Sequence, residues 1–288
     1  MKSLHISHHT RYAYDQPVTF GRHRLMLRPR DGHDMRILSS SLIVEPEAQV
    51  RWAYDTFGNS IALLDFAEPA SRLVVKSELY LERYGLEDAD RTFEPHAITY
   101  PFSYDSDERI DLAPLLLIQC PEDRPIVSQW LEGVMPEVPD NTFTVLDLLS
   151  SAIHDGMEYR RRDEEGVQTP AETITGASGT CRDFAFLFME AARDLGFATR
   201  FVTGYLYDQA TDENPGLTGG GATHAWAEVF IPGVGWVEFD PTNEIVAGNE
   251  LVRVATTRTP EQAQPVGGSF SGGAFLGMEI EVAVTSGE

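Results

Sequence analysis

The sequence predicts an α+β protein: a β-rich, sandwich-like N-terminal domain, then a core in which one central helix packs on an antiparallel sheet. Three patterns predict it. Apolar and polar residues alternate from the start to about residue 82, helical spacing takes over between about 109 and 196, and two alternating runs flank a Pro-Gly-x-Gly turn at 232–235. The expected divisions are a β-rich domain at 1–86, a linker at 87–108, a core at 109–250, and a C-terminal tail with a final strand at 251–288.

In the first segment, "LHISHHTRYAY" puts Leu4, Ile6, His8, Thr10, Tyr12 and Tyr14 on one side of a strand. His8 and His9 then point to opposite faces and read as structural residues rather than a metal pair. "LIVEPEAQVRWAYDTFGNSIALLDF" gives two strands around a turn at Phe57, Gly58 and Asn59. "SRLVVKSELYLERY" alternates through Leu73, Val75, Ser77, Leu79 and Leu81. The basic cluster Arg22, Arg24, Arg28 and Arg30 reads as a local ion-pairing surface.

From 87 to 108 the alternation is lost. Helices follow in "DERIDLAPLLLIQC", in "DRPIVSQWLEGVM", and in "TFTVLDLLSSAIHDGMEY". In the last, Val145, Leu148, Leu149 and Ile153 share a face and Thr144 is the expected N-cap. The charged run "RRRDEEG" is expected to be exposed. "TCRDFAFLFMEAARDLG" is the predicted central helix, about fifteen residues long, with Thr180 as N-cap, Asp183 in a near-capping-box position and Gly196 as the stop. Its apolar residues run nearly all the way round, which predicts burial. "ATRFVTGYLYD" reads as a strand, and the Gly-rich 208–222 stretch reads as a mobile loop ahead of the hairpin.

The formal net charge of -23 argues against general affinity for nucleic acid or anionic membrane, since both favour basic surfaces. Two cysteines, Cys120 and Cys181, allow at most one bridge, so no disulfide scaffold is expected. The N-terminus has no apolar signal-like stretch, and no run approaches the roughly 18 apolar residues of a membrane span. A reducing, cytoplasmic setting with both thiols free is therefore expected.

Cys181 stands at the first turn of the predicted central helix. Unpaired N–H groups and the helix dipole there favour a thiolate and can bind an oxyanion. Packing alone would equally place a free cysteine in a core. A thiol nucleophile needs a base, and His224, opening the strand after the Gly-rich loop, is the candidate. His224, Trp226, Glu228 and Phe230 share one strand face, and Trp236, Glu238 and Asp240 share one on the next. An odd-numbered hairpin loop makes His224 and Asp240 diagonal neighbours, whereas a two-residue turn separates them. A triad therefore requires a three- or five-residue loop. One Cys, one His and one Asp, without Cys-x-x-Cys or His-x-x-x-His spacing, make a poor metal site. Cys120 has no nearby base in sequence and reads as structural.

"GASGTCRDFAFLFMEAARDLGFATRFVTGY" and "THAWAEVFIPGVGWVEFDPTN" resemble the core of the bacterial transglutaminase-like superfamily, proteins with a papain-like Cys-His-Asp site on an α+β fold. "HHTRYAYDQPVTFGRHRLMLRPR" and "FGNSIALLDF" resemble the β-rich N-terminal domain that accompanies that core, and "EYRRRDEEGVQTPAETI" resembles the stretch leading to the nucleophile. The resemblance implies Cys181 as nucleophile, His224 as general base and acid, and Asp240 as the orienting carboxylate. It implies an oxyanion helper upstream, for which Tyr159 is the candidate, with packing as its other reading. Arg182 and Asp183 match the family's Cys-Arg-Asp run, and Trp226 matches the aromatic after the histidine, walling the acyl site or packing. The acidic, Gly-rich loop before His224 departs from the pattern and leaves substrate specificity open.

The implied reaction is attack on a peptide or protein amide, giving a thioester. Water as acceptor makes a peptidase or amidase, the preferred reading. An amine makes a protein-glutamine transglutaminase, and a non-catalytic binding or scaffold protein on this fold is the remaining alternative. The chemistry calls for no metal and no cofactor. The oligomeric state is not legible in the sequence.

Overall fold

The computed structural model describes residues 1–84, 92–162, 166–208, 217–218 and 221–286. The opening alternation becomes six strands: β1 (Lys2–Phe20), β2 (His23–Leu25), β3 (Met35–Glu45), β4 (Ala48–Tyr54), β5 (Ser60–Phe66) and β6 (Ala70–Arg83). β1 pairs with β6 and β6 with β3, while β2, β5 and β4 make a second antiparallel sheet. The inward residues Val18, Leu25, Leu64, Leu73 and Val75 are buried between the two sheets, each worth about 1.5–3 kcal/mol of transfer free energy. This is the expected sandwich. The β4–β5 turn is held by Asp55, whose Oδ1 accepts the N–H groups of Phe57 and Asn59, both at 2.9 Å. Arg22 and Arg24 do form ion pairs, with Asp65 at 2.8 Å and Asp55 at 3.1 Å.

Of the segment expected as a linker, residues 87–91 lie outside the described residues. The remainder packs on the core: α1 (Pro95–Ile98) and the start of α2 (Ser106–Asp111) lie in it, with Tyr104 between them. The Tyr104 hydroxyl donates to the Phe230 carbonyl at 2.8 Å and accepts the Ala198 N–H at 3.0 Å. α3 (Ala113–Leu116), α4 (Arg124–Val134) and α5 (Thr142–Gly156) follow. Asn141, not Thr144, caps α5: its Oδ1 accepts the Thr144 N–H at 3.0 Å, because the chain turns helical one residue after Asn141.

β7 (Glu158–Tyr159), α6 (Pro170–Gly176) and β8 (Ser178–Gly179) lead to the central helix α7 (Cys181–Asp194). Next come β9 (Thr199–Leu206), β10 (His224–Ile231), β11 (Gly235–Asp240), β12 (Ile245–Val246) and β13 (Leu251–Thr257), which form an antiparallel sheet in the order β12-β11-β10-β9-β13. Ala225, Ala227, Val229, Ile231, Val237 and Phe239 line the face that receives α7, where they meet Phe184, Leu187 and Phe188. Phe188 stacks on Phe239 at 5.3 Å between ring centres. The helix is buried as its all-round apolar sequence requires.

The opposite face of this sheet meets the sandwich. Leu4, Ile6, Leu79 and Leu81 pack with Tyr205, Val252 and Val254. His8 is buried there, with Nδ1 3.0 Å from the Tyr205 hydroxyl and Nε2 2.9 Å from Thr10 Oγ1. Burial, assisted by the charge of His9, pushes His8 down to about 4. His9 lies on the other face, less buried, as strand periodicity demands.

Residues 251–286 are divided between the two layers. β13 joins the core sheet beside β9, while β14 (Val266–Gly267) and β15 (Phe270–Ser271) pair with β2 and the end of β1. β16 (Phe275–Ser286) runs along β1 from Leu4↔Ser286 to Tyr14↔Phe275, so the chain's end completes the N-terminal sheet. Among the described residues, no helix is long and apolar enough to cross a membrane.

Candidate active site

The approach to α7 is organised around Asp183, a fully buried carboxylate. It accepts the Thr180 N–H at 2.8 Å, the Thr180 hydroxyl at 2.9 Å, the Gln168 N–H at 2.7 Å and the Arg162 guanidinium at 3.0 Å. The expected capping relationship therefore exists, with the Asp183 carboxylate accepting the N-cap N–H of Thr180. Gly179 fits because a Cβ there would lie 2.8 Å from Asp183 Cβ and 3.2 Å from the Phe184 ring. Of the run "RRRDEEG", Arg160 and Arg161 are exposed, Arg162 is half-buried on Asp183, and 163–165 lie outside the described residues.

This network sets Cys181 at the head of α7, 7% exposed. β7 and β8 pair in parallel with Tyr159 opposite Gly179, and the Arg160 N–H donates to the Gly179 carbonyl at 2.8 Å. Tyr159 is thereby held beside the nucleophile candidate, its ring edge-on to Phe184 at 6.4 Å. Burial first, then the charge of Cys181, raises the Tyr159 phenol above its ordinary value.

The β10–β11 hairpin pairs Ile231 with Gly235 and Ala227 with Phe239, leaving a three-residue loop at 232–234. The loop is odd-numbered, as a His224–Asp240 contact requires. His224 Nε2 lies 2.7 Å from Asp240 Oδ2, and both side chains are fully buried. Asp240 Oδ1 also accepts the Thr242 N–H at 2.9 Å, and Oδ2 accepts Asn243 Nδ2–H at 2.9 Å. These donors, with the His224 charge, hold the Asp240 carboxyl below its ordinary value against burial.

Because Nε2 is engaged, Nδ1 is the ring nitrogen left for Cys181. Nδ1 is buried and makes no hydrogen bond of ordinary geometry, yet Cys181 lies near enough to act on the ring's charge. Burial opposes the imidazolium, but the charge of Asp240, then that of Cys181, together with the hydrogen bond to Asp240, outweigh it and raise His224 to about 10. Trp226, fully buried, stacks on His224 at 6.0 Å between ring centres.

Sequence reasoning passed over Asn243. Besides bonding Asp240, its Oδ1 accepts the Thr218 N–H at 2.7 Å and its Nδ2 donates to the Thr218 carbonyl at 3.1 Å. It thus ties the acid to the end of the Gly-rich loop. The available signal was its position three residues past Asp240, where a short amide side chain bonds locally in a turn. Within that loop, Asp208 Oδ2 accepts the Leu217 N–H at 2.7 Å and the Gly221 carbonyl accepts the Val282 N–H of β16 at 3.1 Å. Residues 209–216 and 219–220, to which the expectation of a mobile loop mainly refers, lie outside the described residues.

Cys120 is free and half-buried. Burial, then Glu190, Asp123, Glu122 and Glu261, push its thiol up to about 12, which disfavours its thiolate. Among the described residues, no group of three or more His, Cys, Asp and Glu side chains could hold a metal ion. Two surface cavities, of about 640 Å³ on the outer N-terminal sheet and about 170 Å³ beside Arg200 and Arg253, are lined by none of Cys181, His224 and Asp240.

Two family models match the chain. Residues 4–82 match the bacterial transglutaminase-like N-terminal region, and residues 130–241 match the transglutaminase-like superfamily. An uncharacterized protein of Mycobacterium tuberculosis (strain ATCC 25618 / H37Rv) is 27% identical, over 98% of this chain and 93% of its own length. An uncharacterized protein of Mycobacterium leprae (strain TN) is 22% identical over 99% of each. Among solved structures, a candidate cysteine protease from Cytophaga hutchinsonii is similar with a TM-score of 0.71 and 22% identity, over 100% of this chain and 93% of that one. The last likeness is one of fold.

Proposed function

Because the chain belongs to the transglutaminase-like superfamily, whose fold supports thiol-based catalysis, we propose that it transfers acyl groups from peptide or protein amides through a thioester on Cys181. The observation that carries this reading is His224, bonded through Nε2 to Asp240 at 2.7 Å with Nδ1 left for the thiol. Asp240 fixes the ring and stabilises its cation, so thiolate and imidazolium form a pair.

In this reading the thiolate attacks the amide carbonyl carbon. The oxyanion is held by N–H groups of the first turn of α7, which have no intrahelical partner, and by the Tyr159 hydroxyl. The C–N bond breaks as the His224 imidazolium gives its proton to the leaving amine. The neutral imidazole then takes a proton from the acceptor, which attacks the thioester and regenerates the thiol. We take water as the acceptor, making the protein a cysteine peptidase or amidase. The two free thiols suit a reducing, cytoplasmic setting.

The test is mass spectrometry after mild iodoacetamide near neutral pH, followed by trapping an acyl-enzyme from a peptide library. Selective labelling of Cys181 over Cys120, lost in a folded His224→Ala protein, supports the reading. Sluggish labelling of both thiols favours a scaffold. An acyl-enzyme discharged by added amines but not by water makes the protein a transglutaminase.

A further inference from the structure

From Cys181 to Arg193, every residue of α7 is buried except Arg182. Arg182 directly follows the nucleophile candidate and is half-exposed where the helix head reaches the surface. Its surroundings are fixed by backbone: Tyr159 sits opposite Gly179 through the β7–β8 pairing, and its ring meets Phe184 two residues beyond Arg182. The guanidiniums of Arg161 and Arg182 both bear on the Tyr159 phenol, as does Cys181. Phenol, thiol and two cations therefore share one locale.

Among the described residues, no carboxylate forms an ion pair with Arg182. The adjacent acid, Asp183, is taken up by Arg162, Thr180 and the Gln168 N–H. In a chain of net charge -23, a half-exposed guanidinium next to the nucleophile candidate, with no carboxylate partner among the described residues, stands out. A guanidinium presents paired donors that match a carboxylate, and a cation on an acidic protein draws anions toward itself.

We propose that Arg182 binds a carboxylate of the substrate close to the amide that Cys181 attacks. The site then takes a peptide bearing an acidic side chain, or its own terminal carboxylate, beside the scissile bond. This deepens the proposed function and rests on it.

The test compares two alkylating probes of one size and opposite charge character, anionic iodoacetate and neutral iodoacetamide, at low ionic strength, with the modified cysteine read by mass spectrometry. The imidazolium of His224 also attracts an anion, so the informative quantity is the iodoacetate-to-iodoacetamide rate ratio in the unsubstituted protein against Arg182→Gln and Arg182→Lys. At Cys181 this ratio is expected to exceed that of glutathione, to fall on the order of tenfold in Arg182→Gln, and to recover largely in Arg182→Lys. Cys120, ringed by acids, is the internal control and should favour iodoacetamide. Brisk iodoacetamide labelling of Cys181 with a ratio indifferent to Arg182→Gln overturns the carboxylate subsite alone. Sluggish labelling of Cys181 in the unsubstituted protein overturns the thiol reading and the subsite with it. Acetylated, amide-capped Ala-Glu-Ala and acetylated Ala-Ala-Ala with a free terminus serve as competitors. Protection of Cys181 by the first identifies a side-chain carboxylate, by the second a terminal one, and by neither at millimolar concentration counts against the proposal.

Discussion

Asn243 donates its side-chain amide to Asp240 Oδ2 at 2.9 Å, the oxygen that also holds His224 at 2.7 Å. Both amide hydrogens are in use, one on Asp240 and one on the Thr218 carbonyl. Asn243→Ala frees Asp240 to turn away from the imidazole and unties Thr218. Since a hydrogen bond to a charged group contributes about 1.5–3 kcal/mol, the rate of Cys181 alkylation near neutral pH is expected to fall about tenfold. An unchanged alkylation rate, with the protein still folded, would show that Asn243 serves the loop alone.

His224 has a folded value of about 10 against an ordinary 6.5, because Asp240 and Cys181 outweigh burial. A raised value means that the stabilisation it contributes is complete below pH 6.5 and is lost as pH rises through about 10. Amide cleavage that needs the imidazolium as acid should decline over the same upper range. Asp240→Asn should move that decline to lower pH in a pH–rate profile.

Asp183 binds four donors from three segments. Asp183→Ala strands the Thr180 and Gln168 N–H groups and unpairs Arg162, an expected loss on the order of 3 kcal/mol. Urea denaturation should show it, with a smaller loss for Asp183→Asn. Equal effects of the two substitutions would argue that packing, rather than the carboxylate, matters there.

Glu228 and Glu238 stand directly across the β10–β11 pair. Glu228 is bonded to both Arg200 and Arg253, while the ion pair of Glu238, among the described residues, is a looser one with Arg83 at 4.0 Å. Burial, then the charge of Glu228, raises Glu238 to about 7. The native state thus keeps a proton that the unfolded chain releases near 4.5, so this contribution falls as pH rises from about 4.5 through 7. His8, lowered to about 4, gives the opposite slope between 4 and 6.5. The measurement is therefore the stability difference between Glu238→Gln and the unsubstituted protein across that range, which should grow in favour of the variant as pH rises.

Gly204 leaves no room for a side chain: a Cβ would lie 2.2 Å from the Val252 carbonyl oxygen and 2.6 Å from the Trp226 ring. Gly204→Ala should cost about 1–3 kcal/mol through overpacking. Because Trp226 stacks on His224, Cys181 labelling should slow as well. Thermal denaturation and alkylation rates measured together would separate the two effects.

The alternation in β1, β5 and β6 and the all-round apolar surface of α7 were legible residue by residue, because they are local periodicities imposed by burial. The cap of α5 was misread by three residues because Asn141 and Thr144 are both good caps, and only the backbone at Asn141 decides between them. The destination of 275–286 was not legible at all. A strand's period fixes its faces but not its partner, and β16 finds β1 from the far end of the chain.

The sequence by itself determined that a thiol stands at the head of a buried helix and that a histidine and an aspartate lie on neighbouring strands of one hairpin. Local hydrogen bonding and side-chain period suffice for that. Whether those strands were in the register that joins His224 to Asp240 was decided by a three-residue loop, since one residue more or less turns every side chain to the other face. Long-range packing alone decided that Asn243 closes on Thr218, that Asp183 gathers Arg162 and Gln168, and that Arg182, beside Tyr159, pairs with no carboxylate among the described residues. These contacts join segments far apart in sequence, and no spacing along the chain encodes them.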